Sequence, residues 1–206
     1  MATLKLGIMI SGGGRTMVNI ADQIKRGELD AEIVCVICSR SDISGIERAR
    51  ELGFEPMIIR KKDFADNESF SKKIYQTLEQ AKAELILQCG WMCFWQVPAE
   101  LDGKVMNIHP SLLPMFGGQG MYGHHVHEAL VERGCKISGC TVHFVTNEYD
   151  AGPIIVQRSC QIHADDSADA VAEKVFKQEC QAYPAAIRLY ASGKLQVVDG
   201  KVFIND

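Results

Sequence analysis

Five short apolar runs, LKLGIMI, AEIVCVIC, EPMII, AELILQC and KVMNI, recur through the first half of the chain and alternate with stretches of helical periodicity. That alternation implies parallel strands joined by crossover helices, so the first half reads as α/β: a doubly wound, mostly parallel sheet of Rossmann-like type. The pattern predicts helices over residues 15–26, 44–52 and 67–83, with Gly27 and Gly53 as stops. After Pro110 it changes to a Gly-rich loop, a helix near 124–133, strands near 139–145 and 153–160, and a helix over 168–191. This smaller mixed half completes the sheet with an antiparallel C-terminal extension. With no repeat, low-complexity tract or linker, residues 1–206 are expected to form one domain, a first half 1–109 and a second half 110–206.

A net charge of -4 and a pI near 5.9 provide no basic field for nucleic acid, and no segment approaches a membrane span. The N-terminus MATLKLGIMIS enters a strand without a secretory cleavage pattern, so a cytoplasmic location is expected. Small molecules are the expected partners, and a homodimer is allowed. The eight cysteines are scattered through apolar strands and a helix rather than arranged in a compact framework, and read as reduced, buried thiols. Cys35 and Cys38 form a C-x-x-C, but inside a buried strand i and i+3 point to opposite faces, which argues against redox chemistry.

The first strand ends in SGGGRT, residues 11–16, and a helix follows at once. Three glycines allow a tight turn with open N–H groups, and the helix start favours an anion. Arg15 could add a charge-assisted contact. The spacing fits neither Gly-x-Gly-x-x-Gly nor a Walker loop, so a single phosphate on a small substrate suits it better; a plain strand-to-helix turn is the alternative.

VMNIHPSLLP, residues 105–114, and TVHFVTNEYDAGP, residues 141–153, place polar chemistry where apolar strands run out into loops. Asn107 offers an uncharged N–H donor for a developing oxyanion, and His109, at i+2 on the same strand face, carries an imidazole that can shuttle a proton. Asp150 would orient the imidazole if its loop folds back against that strand. Taken singly, each has a structural alternative: a strand-end hydrogen bonder, a pre-proline turn residue and a turn former before Gly152. His124, His125 and His127 invite a metal, yet no cysteine or carboxylate set joins them at ligand spacing, and no metal is expected. Trp91 and Trp95 suit core packing and a ligand pocket equally.

NIHPSLLP, SGCTVHFVTNEYDAGPIIVQ and the preceding strand-to-helix glycine loop together resemble the glycinamide ribonucleotide formyltransferase family, within the folate-dependent formyltransferase superfamily. The resemblance runs over residues 5–195. It implies transfer of a formyl group from 10-formyltetrahydrofolate, a co-substrate, to the amine of glycinamide ribonucleotide in purine biosynthesis. Asn107 would polarise the formyl oxygen, His109 would act as general acid and base, and Asp150 would support the imidazolium. Gly13, Gly14, Arg15 and Thr16 would hold the ribonucleotide phosphate, and Glu179 the ribose hydroxyls. Met92, Cys93, Phe94 and Trp95, with Asn107, Thr146, Asn147, Glu148, Tyr149 and Asp150, would line the folate pocket.

Several positions depart from the family pattern. Cys93 and Asn67 stand where many members place arginines near the folate, which bears on the grip on its anionic tail. Arg15 and Thr16 replace a common Ser-Asn pair. The stretch 115–130 is longer than in compact members and its glycines permit a mobile lid. Branches of the superfamily differ in appended domains, and a core filling this chain implies a free ribonucleotide acceptor. Alternatives are a formyltransferase for another amine, such as a nucleotide amino sugar, a formyltetrahydrofolate hydrolase, or a catalytically silent nucleotide-binding module.

Overall fold

The computed structural model describes residues 3–205, in two compact units that meet in sequence between Asn107 and Ile108. The first unit carries β1 (Leu4–Ile10), α1 (Arg15–Lys25), β2 (Ala31–Cys38), α2 (Ser44–Glu51), β3 (Met57–Ile58), α3 (Asn67–Gln80), β4 (Leu85–Gln88) and β5 (Val105–His109), and the division falls inside β5. These strands are ordered β3-β2-β1-β4-β5 and pair in parallel. The chain steps outward from β1 to β3 and then returns to the other side of β1. Right-handed crossovers therefore put α1 and α2 on one face and α3 on the other, the doubly wound arrangement.

The core follows from the apolar runs. Leu6, Ile8, Met9 and Ile10 of β1, Ile37 of β2 and Leu85, Ile86 and Leu87 of β4 are all 0% exposed. Gly7 allows close packing, since a Cβ there would lie 2.7 Å from Leu78 of α3 and 3.1 Å from Ala83. One expected strand shrinks: EPMII yields only Met57–Ile58, both exposed, paired to β2 through two residues. Pro56 has no N–H for a ladder, which confines the run to a short sheet edge.

The second unit carries α4 (His124–Glu132), the antiparallel pair β6 (Ile137–Phe144) and β7 (Ile154–Gln161), α5 (Ala168–Ala191), and a hairpin of β8 (Leu195–Val198) and β9 (Lys201–Ile204). α5 packs on both β6 and β7, burying Val171, Val175, Ala182, Tyr183, Ala186 and Ile187. Its start is capped by Ser167, whose hydroxyl accepts the Ala170 N–H at 3.2 Å. The closing hairpin is a separate two-stranded sheet that the apolar-run analysis leaves out. Its signal is Asp199-Gly200, both at positive φ (48° and 71°), between LQVV and KVFI: the two-residue turn that matches strand twist.

All eight cysteines are free thiols, and burial pushes Cys35 and Cys38 up to about 11, holding them protonated. Among the described residues no helix is long and apolar enough to cross a membrane.

Two outcomes follow for stability. A Cβ at Gly45 in α2 would lie 2.5 Å from the Gly12 carbonyl oxygen and 2.6 Å from Ile10 Cδ1. Gly45→Ala should therefore cost about 1–3 kcal/mol, read from the urea midpoint, because backbone cannot step aside as a side chain would. The second concerns His127, which α4 buries; desolvation, aided by His124 and His109, lowers its pKa from 6.5 to about 4. The unfolded chain then binds the extra proton first. Stability is complete above pH 6.5 and falls as pH drops toward about 4. Denaturant titrations of His127→Gln should lack this acid-side loss, on the order of 3 kcal/mol; an identical pH profile would refute it.

Candidate active site

In the first unit the polar chemistry gathers where the strand order reverses, between the carboxyl ends of β1 and β4, which is where open α/β sheets bind ligands. Ser11 ties the strand ends together. Its N–H donates to the Gly90 carbonyl at 3.1 Å, and its hydroxyl oxygen accepts from Ser39 Oγ at 2.6 Å and from the Met92 N–H at 2.9 Å. The next three residues turn the chain into α1, with Gly14 left-handed at φ 71° in the N-cap position and no side chain capping the helix. The first-turn N–H groups thus have no side-chain cap to satisfy them, which leaves the helix start suited to an anion.

Arg15 is exposed at the helix start, whereas Thr16 is buried. The cation that grips the turn is Arg48 of α2, whose Nη1 donates to the Gly13 carbonyl. Because a trans peptide directs its C=O and N–H oppositely, that bond fixes the direction of the Gly14 N–H. Sequence inspection passes over both Ser11 and Arg48. Ser11 stands in the quoted loop, but Arg48 lies in an ordinary amphipathic helix and carries no local signal.

The loop after β4 holds the predicted folate segment. Met92 is exposed, Cys93 and Phe94 are half-buried, and Trp95 is buried with no hydrogen-bond partner for its indole N–H among the described residues. Trp91 stacks on Phe70 at 6.4 Å and donates to the Cys93 carbonyl at 2.6 Å. Ser71 of α3 accepts the Gln96 N–H at 2.8 Å and donates to the Asn67 carbonyl, tying this loop to the helix that Asn67 begins. Asn107, half-buried on β5, sits in register with Gln88 of β4.

In the second unit His109 and Asp150 come together. His109 is 3% exposed, and its Nε2 lies 2.7 Å from the Phe116 carbonyl, which can only accept, so Nε2 carries a proton. Its Nδ1 faces Asp150 Oδ2 at 3.5 Å. That same oxygen accepts the Gly118 N–H at 2.9 Å. Two devices bring the carboxylate there. Asp150 is left-handed at φ 51°, and a Cβ at Gly152 would sit 1.8 Å from the Phe144 carbonyl oxygen, so only glycine lets the chain turn back against β6.

The segment that follows His109 is braced from behind. Thr141 Oγ1 donates to the Ser111 carbonyl at 2.7 Å and accepts the Leu113 N–H at 3.0 Å, while Gln157 Nε2 donates to the Leu113 carbonyl at 2.9 Å. Ser111 donates to the Met115 carbonyl at 2.7 Å, and the Arg133 guanidinium lies 5.6 Å from the Phe116 ring centroid. Gly117 is confined too: a Cβ there would lie 2.4 Å from Leu113 Cδ2 and 3.4 Å from Asp150 Cβ.

A second imidazole, not anticipated from the sequence, faces the same carboxylate. His143 of β6 is 2% exposed; its Nδ1 donates to the Phe144 carbonyl at 2.8 Å and its Nε2 lies 3.7 Å from Asp150 Oδ1. Burial lowers its pKa, opposed by the Phe144 carbonyl and the charge of Asp150. A histidine inside the apolar run TVHFV was the available signal.

The remaining predicted residues are dispersed. Thr146, Asn147, Glu148 and Tyr149 form the loop before Asp150, with Tyr149 exposed. Glu179 is half-buried on α5; burial, with the Glu179 charge adding to it, pushes the Cys140 thiol of β6 up to about 12. His124 and His125 are exposed and pair with Glu128. Among the described residues no group of three or more His, Cys, Asp or Glu could hold a metal ion.

The formyl transferase family model matches residues 4–187. The trifunctional purine biosynthetic protein adenosine-3 of Gallus gallus is 35% identical over 202 residues, 97% of this chain, which spans 20% of that protein's length. The phosphoribosylglycinamide formyltransferase of Haemophilus influenzae is 32% identical over 203 residues, covering 98% of this chain and 93% of that one. Among solved structures, glycinamide ribonucleotide transformylase 1 from Symbiobacterium toebii superposes with a TM-score of 0.92 at 31% identity, covering 100% of this chain and 95% of that one. Matched over nearly its whole length by model, relative and structure alike, the chain belongs to the formyl transferase family.

Proposed function

We propose that this chain transfers a formyl group from 10-formyltetrahydrofolate to the amine of glycinamide ribonucleotide, in the purine pathway; the names of its bacterial relatives support the formyl transfer and the ribonucleotide acceptor. The observation that carries the proposal is the buried His109 imidazole facing the Asp150 carboxylate at 3.5 Å, in a chain that aligns over 98% of its length with the Haemophilus influenzae relative. Together they supply a proton-transfer group and its counter-charge without a metal or a covalent nucleophile.

The chemistry needs little more than those groups. The substrate amine attacks the formyl carbon, and the carbonyl oxygen becomes an oxyanion. The Asn107 amide and the protonated His109 stabilise it, and one such donor is worth roughly 3 kcal/mol in the transition state. The amine then loses one proton and the folate nitrogen gains one as its bond to the formyl carbon breaks, with His109 carrying the proton and Asp150 balancing the imidazolium charge. The products are the formylated ribonucleotide and tetrahydrofolate. For Nε2 to take part, the Phe116 carbonyl must release it, so the Gly117–Gly123 loop would act as a lid that opens and recloses over the reactants.

On the acceptor side, the N–H groups of Gly13, Gly14, Arg15 and Thr16 suit a phosphate, and Glu179 would accept from ribose hydroxyls. On the donor side, Met92 to Trp95 and Thr146 to Asp150 would border the pterin. Cys93 and Asn67 carry no positive charge for the anionic glutamate tail, so tail length should matter little to affinity.

Purified protein given 10-formyltetrahydrofolate and glycinamide ribonucleotide should form tetrahydrofolate and the formylated product in equal amounts. Tetrahydrofolate released equally fast without the ribonucleotide would identify a hydrolase and refute the proposal. His109→Ala should lower kcat roughly 10²–10⁴-fold while ribonucleotide binding, followed by calorimetry, stays within about twofold.

A further inference from the structure

We infer that His143 is a positioning residue for Asp150, and that His109, Asp150 and His143 take up and release protons as one buried unit. The inference deepens the proposed function and rests on it for its kinetic readout alone.

The geometry is nearly symmetric. Asp150 presents Oδ2 to His109 Nδ1 at 3.5 Å and Oδ1 to His143 Nε2 at 3.7 Å. The outer nitrogen of each ring donates to a backbone carbonyl, Phe116 at 2.7 Å for His109 and Phe144 at 2.8 Å for His143. A carbonyl cannot donate, so the outer nitrogen of each ring is the protonated one in the neutral form. Both inner nitrogens then turn lone pairs toward an anion. One added proton relieves this on whichever side it occupies, and the carboxylate attracts both alternatives. With both imidazoles at most 3% exposed, solvent cannot damp the competition. Groups coupled this closely titrate as a set rather than singly.

What His143 contributes is the far wall of the carboxylate site. The Gly118 N–H holds Oδ2 toward His109, and among the described residues His143 is the group that faces Oδ1. Without the ring, the carboxylate can rotate toward the vacated space and lose its alignment with His109. Other titratable groups around the set are His127 of α4, whose pKa His109 helps to lower, and Glu179 of α5, whose charge acts at Cys140 of β6. Neither is in reach of Asp150 in the way His143 is.

The experiment compares wild type, His143→Gln and His143→Ala, using nitrogen NMR of labelled imidazoles and steady-state kinetics against pH. Gln keeps an N–H near the place of Nε2 but cannot titrate; Ala removes both. In both variants the His109 ring resonances should titrate at a midpoint displaced by at least half a pH unit, with the folded spectrum otherwise preserved. The pH profile of kcat should move in the same direction. His143→Ala should lose about tenfold or more in kcat with little change in KM for the ribonucleotide, and His143→Gln should recover most of that loss. An unmoved His109 midpoint in both variants overturns the inference, as does a loss in kcat that Gln fails to recover. Wild-type protein without formyl transfer would defeat the proposed function, yet the His109 midpoint would still decide the inference.

Discussion

A carboxylate turned back into the protein by a left-handed backbone is what the second unit is organised around. Asp150 at φ 51° and the Cβ-intolerant Gly152 together reverse the chain after β6, so that one side chain meets two buried imidazoles and the Gly118 N–H. Holding an aspartate in this conformation costs of order 1 kcal/mol or more, and its persistence requires surroundings that fix it. Those surroundings are visible in the hydrogen bonds of Thr141, Gln157 and Ser111, which immobilise the chain between His109 and Phe116. A pair of carbonyls, Phe116 and Phe144, then sets the tautomer of each ring. The site is thus oriented largely by main chain, the least rotatable material available.

The first unit solves a different problem with similar means. The anion site proposed there would need exposed N–H groups that are nonetheless held still. Ser11 supplies stillness by joining the ends of β1, β2 and β4 through one buried hydroxyl, and Arg48 pins the carbonyl side of the turn. The glycines contribute space: Gly45 must lack a side chain because the Gly12 carbonyl lies where a Cβ would be. Positive charge near such a turn need not touch the anion to matter, since fixing a peptide plane fixes the dipole that does.

Much of this was legible in the amino-acid order, and what was not has a common cause. Periodicity identified β1, β2, β4, α1 and α3 because burial on a sheet or helix face imposes a repeating pattern that residues such as Leu6, Ile8 and Ile10 display directly. EPMII over-reads as a strand because hydrophobicity says nothing about the donor that Pro56 lacks. The β8–β9 hairpin gives no apolar periodicity because its pairing rests on a two-residue turn at Asp199-Gly200 rather than on a buried face, as the exposure of Val197 and Phe203 makes plain. His109 and Asp150 are 41 residues apart in numbering, and only the fold brings them to 3.5 Å. His143 carries little signal of its own in the sequence, because a buried histidine in a strand has a bland explanation until its neighbours are known.

The same contrast bears on how the family's chemistry can persist while its contacts drift. Arg15 and Thr16 occupy a turn whose proposed contacts to a phosphate are backbone N–H groups, so the side chains there could change without altering what that anion would meet. His109 and Asp150 are different: the roles proposed for them reside in side-chain atoms, and the pair is fixed by carbonyls, a glycine N–H and a glycine without a permissible Cβ. Replacing Gly117 or Gly152 would therefore disturb the carboxylate as surely as replacing Asp150, although neither glycine carries a reactive atom. Chemistry delegated to side chains transfers its constraint to the backbone that aims them, and in this chain that backbone lies between Ser111 and Gly118 and between Phe144 and Pro153.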